Sequence, residues 1–158
     1  MTRYVLDPAR SELRFEGRSS IHPITASAAA SGELDLSEPS GWVEVSVGEL
    51  RTGNPLYDRE IRRRLEARRH PTIRGRLDGL TAEDGDRFAA RGTVSLRGIE
   101  QEVTGSLAIR EDPDGSVTIT GERTFDIRDF GLDPPSVLGL KVHPDVVVRL
   151  TSVGLAPT

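Results

Sequence analysis

Three histidines, His22, His70 and His143, each precede a proline, and three imidazoles can ligate zinc. They are scattered along the chain without a close ligand spacing such as HExxH, so the expectation is three rim residues and no metal. Asp126, Arg128 and Asp129 crowd one strand end; carboxylates beside an arginine more often brace a loop than exchange protons. There is no G-x-S-x-G elbow, no P-loop and no dinucleotide fingerprint. The chain has no cysteine, which removes thiolate and disulfide chemistry. No catalytic residue is assigned. What remains is cationic. Segment 55–70 holds Arg59, Arg62, Arg63, Arg64, Arg68 and Arg69 against Asp58, Glu60 and Glu66, a surface for an anionic partner or a solvated face with i,i+4 pairs. Arg123 is set apart because it falls in the apolar phase of a strand, where a charge must be paired or must reach a polar ligand.

Only residues 52–73 read as helix. Asn54 suits the N-cap and Pro55 the first turn. Tyr57, Ile61 and Leu65 share a face, Arg68 and Arg69 fit the last turn, and Pro71 closes the element. Almost everything else alternates with period two. Leu13 and Phe15, the run from Ile24 to Leu36, Val43 to Val47, Ile73 to Gly79, Phe88 to Leu96, Val103 to Ile109, Val117 to Phe125 and Val146 to Leu150 make about eight strands. Turn signals at PSG, AEDGD, RGIE and DPDG join them, and a Pro- and Gly-rich loop runs to about Pro144. One domain over residues 1–158 is expected: all-β, an eight-stranded antiparallel up-and-down barrel with one short α-helix between strands 3 and 4.

The inward phase is rich in Gly and Ala, which leaves room for a guest in an eight-stranded barrel; glycines also mark bends and close sheet packing. A cavity is the favoured reading. Its expected lining is Phe15, Ala26, Ala28, Ala30, Val45, Ile73, Phe88, Ala90, Val94, Leu107, Ile119 and Arg123. Strand direction gathers residues 18–23, 51–71, 97–100 and 128–144 at one end. That end is the mouth, with Tyr57, Ile61, Leu65, Phe130 and Leu132 as its lid or wall. Phe130 and Leu132 should insert into the barrel, with Arg128 and Asp129 fixing their turn. The mouth gathers arginine, partly offset by Glu100, Asp129, Asp133 and Asp145, while Glu38, Glu83, Asp84, Asp86, Glu111, Asp112 and Asp114 occupy the far turns.

Net charge −4 and 4% aromatic residues argue against nucleic acid as a partner. No apolar leader or apolar span of membrane length is present, so a soluble, cytoplasmic protein is expected. Monomer and homodimer both stay open.

The motifs resemble the YceI-like family, the lipocalin-like polyisoprenoid-binding proteins. YVLDPARSELRF resembles its opening YxIDPxHSxVxF, VEVSVGELRTGN its third strand and TGN turn, and HPTI its entry to strand four. GTVSLRGIEQEV is similar to its GxLTIRGVTxPV hairpin, and FDIRDFGL to its RxDFGL segment. Arg10 stands where the family has His, and the basic DREIRRRLEARRHP replaces a longer connection bearing Phe-Phe-Asp. The resemblance implies a lipocalin-like barrel that carries or sequesters a polyisoprenoid, isoprenoid quinone or fatty-acyl lipid without chemistry. The guest would be a lipid or quinone, with no other cofactor, and the basic mouth would touch anionic membrane surfaces transiently. The alternatives are an enzyme modifying such a lipid at the rim, or an adaptor docking an acidic partner through its helix.

Overall fold

The structure, a computed structural model, describes residues 3–134, 136, 137 and 140–157. Its strands are β1 (Arg3–Leu6), β2 (Glu12–Ser19), β3 (Pro23–Ala29), β4 (Ser31–Asp35), β5 (Ser40–Ser46), β6 (Thr72–Ala82), β7 (Arg87–Leu96), β8 (Ile99–Glu111), β9 (Val117–Asp126), β10 (Ser136–Val137) and β11 (Leu140–Leu155). One helix, α1 (Pro55–Arg64), lies between β5 and β6. Pairing runs β1-β4-β5-β6-β7-β8-β9-β11-β2-β3, and β1 against β11 closes the ring. β1 and β2 are one wall strand interrupted by the turn Pro8–Arg10, whose N-cap Asp7 accepts from the Ala9 N–H at 3.0 Å and from Arg10 Nε at 2.9 Å. β3 and β4 are another, interrupted at Ala30; β10 pairs only with β11. The wall is therefore a closed eight-stranded antiparallel barrel with one short helix, as the alternation predicts.

Two elements differ from the sequence expectation. Helix α1 starts where expected, with Asn54 Oδ1 accepting from the Leu56 N–H at 2.9 Å, but it ends at Arg64. Glu66 adopts a left-handed φ of 50°. The Ala67 N–H reaches the Arg62 carbonyl and the Glu66 N–H the Arg63 carbonyl, the bond pair of a Schellman stop. Arg68 and Arg69 thus lie beyond the helix. The last strand begins at Leu140, not after Pro144. Its pairing with β2 jumps from Val142↔Ser19 to Val146↔Gly17, and the bulge absorbs Pro144, which has no N–H to give to a ladder.

The far end is stoppered by Tyr4, Leu6, Leu34, Ile109, Val117 and Ile119, all buried. Nearer the mouth a second cluster, built on Leu13, Ala26, Ala28, Ala30, Val45, Val47, Leu50 and Ile73, packs against Ile61 and Leu65. Glycine does not serve cavity space everywhere. A Cβ at Gly32 or Gly92 would lie 2.2 Å from a carbonyl oxygen of the neighbouring strand, so both positions require glycine for close sheet packing.

One seam is incomplete. β8 pairs with β9 only over Leu107–Glu111 against Val117–Gly121. Residues 103–106 and 122–125 remain paired to β7 and β11 on their other sides yet have no register partner across the seam. Nearer the mouth the gap is crossed again, by Gln101 Nε2 donating to the Asp129 carbonyl at 2.8 Å.

A candidate binding cavity along the barrel axis

Two chambers lie in the barrel, of about 220 and 310 Å³. The inner one reaches Leu6, Leu34, Ile119 and Ser152 near the stopper. The outer one reaches Tyr57, Ile61 and Leu65 of the helix segment, together with Phe130 and Leu132. Leu13, Val43, Gly75, Val94, Phe125 and Val148 line both, so the chambers stack end to end. The walls are overwhelmingly apolar, as the strand phase requires. Ser152, wholly buried, is satisfied within the wall by donating to the Ile119 carbonyl at 2.9 Å.

The structure places the expected lining in three groups. Phe15, Ala26, Ile73 and Val94 line the outer chamber, joined by Tyr57, Ile61, Leu65, Phe130 and Leu132. Ala90, Leu107, Ile119 and Arg123 line the inner one. Ala28, Ala30, Val45 and Phe88 reach neither: the first three are 8%, 1% and 1% exposed inside the packed cluster, where β3 and β4 close on β5, and Phe88 packs against the stopper. Phe125, Val146 and Val148 line the cavity as well; their alternation is visible in the sequence, but only the strands were legible there, not the depth of each residue. Glu60, Arg64, Arg74 and Asp133 add a polar edge to the outer chamber.

The wall of the mouth is built locally. Phe130 and Leu132 are buried, and the Phe130 ring tilts against Phe125 at 6.3 Å between centroids. Their turn, the 3-10 segment Ile127–Phe130, is fixed by Asp126 rather than by the side chain of Asp129. Asp126 accepts from the Arg128 N–H at 2.9 Å and from its guanidinium at 2.7 Å, which holds the Asp126 carboxyl below the ordinary aspartate range. Gly131 then turns at φ 71°. On the other side, buried Asp58 accepts from the N–H and hydroxyl of Thr52, both at 2.7 Å, and ties α1 to the TGN turn. Arg63 and Arg64 both pair with Glu60, Arg69 with Glu66, and Arg97 with Glu66. Arg59, Arg62 and Arg68, with Arg18 at the end of β2 and Lys141 at the start of β11, meet no carboxylate among the described residues.

No group of three His, Cys, Asp or Glu among the described residues is placed to hold a metal ion. His22 Nδ1 lies 2.9 Å from the Pro23 carbonyl, and the His70 ring covers Gly98. No helix among the described residues is long and apolar enough to cross a membrane.

Solved structures share this barrel. A polyisoprenoid binding domain from Saccharophagus degradans implicated in plant cell wall breakdown superposes with a TM-score of 0.86 at 15% identity, over 99% of this chain and 100% of that one. BcnA of Burkholderia cenocepacia gives 0.82 at 14% identity, over 94% and 98%. A Campylobacter jejuni YceI protein gives 0.66 at 13%, over 82% and 81%. Such identities establish likeness of fold alone. No curated protein sequence is a significant match. The sequence profile of the YceI-like domain matches residues 4–153, nearly the whole chain, and on that match the chain belongs to the YceI-like domain family.

Proposed function

We propose that this protein binds and carries, or sequesters, an amphiphilic long-chain lipid of the polyisoprenoid, isoprenoid quinone or fatty-acyl class, and does no chemistry on it. The observation that supports this most is the pair of stacked apolar chambers opening at one end beneath α1. An apolar cavity of about 150 Å³ already holds benzene, so chambers of about 220 and 310 Å³ in series suit an extended hydrocarbon tail. The polyisoprenoid binding domain from Saccharophagus degradans has the same barrel, which supports the same ligand class. Tail burial supplies the affinity, at roughly 25 cal/mol per Å² of apolar surface removed from water.

The deciding experiment is organic extraction of the purified protein followed by mass spectrometry. One lipid per chain is the expected result. An empty barrel that also refuses added isoprenoid, quinone and fatty acid would instead leave α1 as a docking helix on a scaffold. Turnover of an added lipid, lost when His22, His70 or His143 is replaced, would make the protein an enzyme.

A further inference from the structure

The gap in the barrel wall between β8 and β9 is a second opening into the cavity, and it is occupied by one charged side chain. Val103–Ser106 and Glu122–Phe125 face each other across it with no ladder pairing, and both edges border the inner chamber. Arg123 reaches across. Its Nε donates to the Thr104 carbonyl on the opposite edge at 2.8 Å, its Nη1 donates to the Thr124 carbonyl at 3.2 Å, and its guanidinium carbon stands 4.5 Å from the Phe125 ring centroid. Gly105 faces this side chain: a Cβ there would sit 3.7 Å from Arg123 Cδ, at ordinary contact distance.

Every partner of Arg123 is a neutral dipole or a ring face. Among the described residues no carboxylate neutralises it, although it borders an apolar chamber. A guanidinium has five N–H donors in a rigid fork. Two are used, which leaves donors on Nη1 and Nη2 for the parallel pair of bonds that a carboxylate or phosphate oxygen pair accepts.

We infer that the β8–β9 window is an anion subsite: Arg123 binds the acidic head group of the lipid there, with the tail running along the barrel axis. The inference rests on the reading above that the barrel takes an amphiphilic lipid. It goes beyond that reading in placing the acid at the side wall, and it selects acidic lipids over neutral ones of equal length.

Palmitate and hexadecanol, equal in chain length, separate the two statements when titrated into delipidated protein. The expected result is a preference for palmitate of about ten- to a hundredfold, the scale of one bidentate charge-assisted contact. Arg123→Gln should reduce that preference to about twofold or less while hexadecanol affinity is kept. If hexadecanol binds and Arg123→Gln leaves the acid preference intact, the acid is read at the mouth and the window subsite is wrong, while lipid binding stands. Equal affinities in the unmodified protein overturn the subsite in the same way. If neither compound binds, no acid is held at the window and the subsite is wrong; the lipid reading falls with it only if added isoprenoid and quinone are refused as well.

A measurement with Arg123 in place covers a variant that does not fold. The chain lacks cysteine, so a nitroxide can be attached through Ser106→Cys, exposed at the window, or through Ile21→Cys, exposed at the mouth. Carbon NMR of carboxyl-labelled palmitate should show stronger broadening from the window label. Stronger broadening from the mouth label would overturn the subsite.

Discussion

Phe130 is the residue on which the mouth depends most. It is 3% exposed, tilts against Phe125, and with buried Leu132 carries the loop after β9 into the barrel. Phe130→Ala should cost roughly 3–5 kcal/mol in denaturant unfolding; a negligible loss would mean the ring is not part of the packed wall. The alanines show why position within the wall matters more than residue type. Ala90 borders the inner chamber, whereas Ala28 lies in the packed cluster at 8% exposure. Ala90→Leu should weaken lipid binding and leave unfolding nearly unchanged, because its added volume takes ligand space. Ala28→Leu should do the reverse, with overpacking of about 1–3 kcal/mol. Equal stability losses from both would mean that the inner chamber is already filled by the protein's own packing. Alternation alone puts both alanines in the same inward phase, so the sequence separates in from out but not chamber from cluster. That distinction depends on where β3 and β4 break and on how far each strand coils.

At the scale of elements, the strands were legible because a half-buried wall imposes period two on nearly every segment, and the turns because Asp, Pro and Gly stand at fixed places. The end of α1 was not. The usual stop signal is a glycine, and here Glu66 takes the left-handed position, held by Arg69 and Arg97. Nor does an exposed-looking Asp58 in the first turn announce that it is buried under Thr52. Asp58→Ala strands the Thr52 N–H, leaving the Thr52 hydroxyl only the Asn54 carbonyl, and should cost about 1–3 kcal/mol. Faster amide exchange should appear first in α1 and the TGN turn, and unchanged exchange there would show that Pro55 and Asn54 alone hold the helix start. The turns themselves are braced by carboxylates. Asp35 accepts from Ser37, Asp112 from Thr118 and Asp126 from Arg128, and these bonds hold all three below their ordinary range. Between the folded and unfolded values the unfolded chain binds more protons, so stability falls as pH falls. Melting temperature should therefore decline below about pH 4, and by a modest amount, since the groups are exposed. A melting temperature that stays level well below that value would show that these braces contribute nothing.

Across the whole molecule the charge is divided by the barrel axis. The far turns carry acids, Glu38, Glu83, Asp84, Asp86, Glu111 and Asp114 among them, while the mouth carries the unpaired Arg18, Arg59, Arg62, Arg68 and Lys141. A protein of net charge −4 is thus repelled by an anionic surface at one end and drawn to it at the other. On the proposed lipid-carrying reading, that torque would turn the opening toward an anionic membrane before contact. Sequence reasoning foresaw the basic mouth but not which arginines stay free, because pairing depends on where the helix stops: Arg63 and Arg64 are taken by Glu60, and Arg69 by Glu66. On the proposed reading, steering would therefore fall to Arg59, Arg62 and Arg68. Exposed charges act chiefly on encounter rate and are screened over about 8 Å at physiological salt. Replacing the three with Gln should slow lipid capture from anionic vesicles on the order of tenfold at low salt and change the final affinity much less. Raising salt should slow the unmodified protein toward the variant, and neutral vesicles should show neither effect. Stopped-flow transfer of a fluorescent fatty acid from both vesicle types at two salt concentrations measures all of this. Equal rates that ignore both salt and lipid charge would leave these arginines as solvated surface and the lipid to enter without guidance.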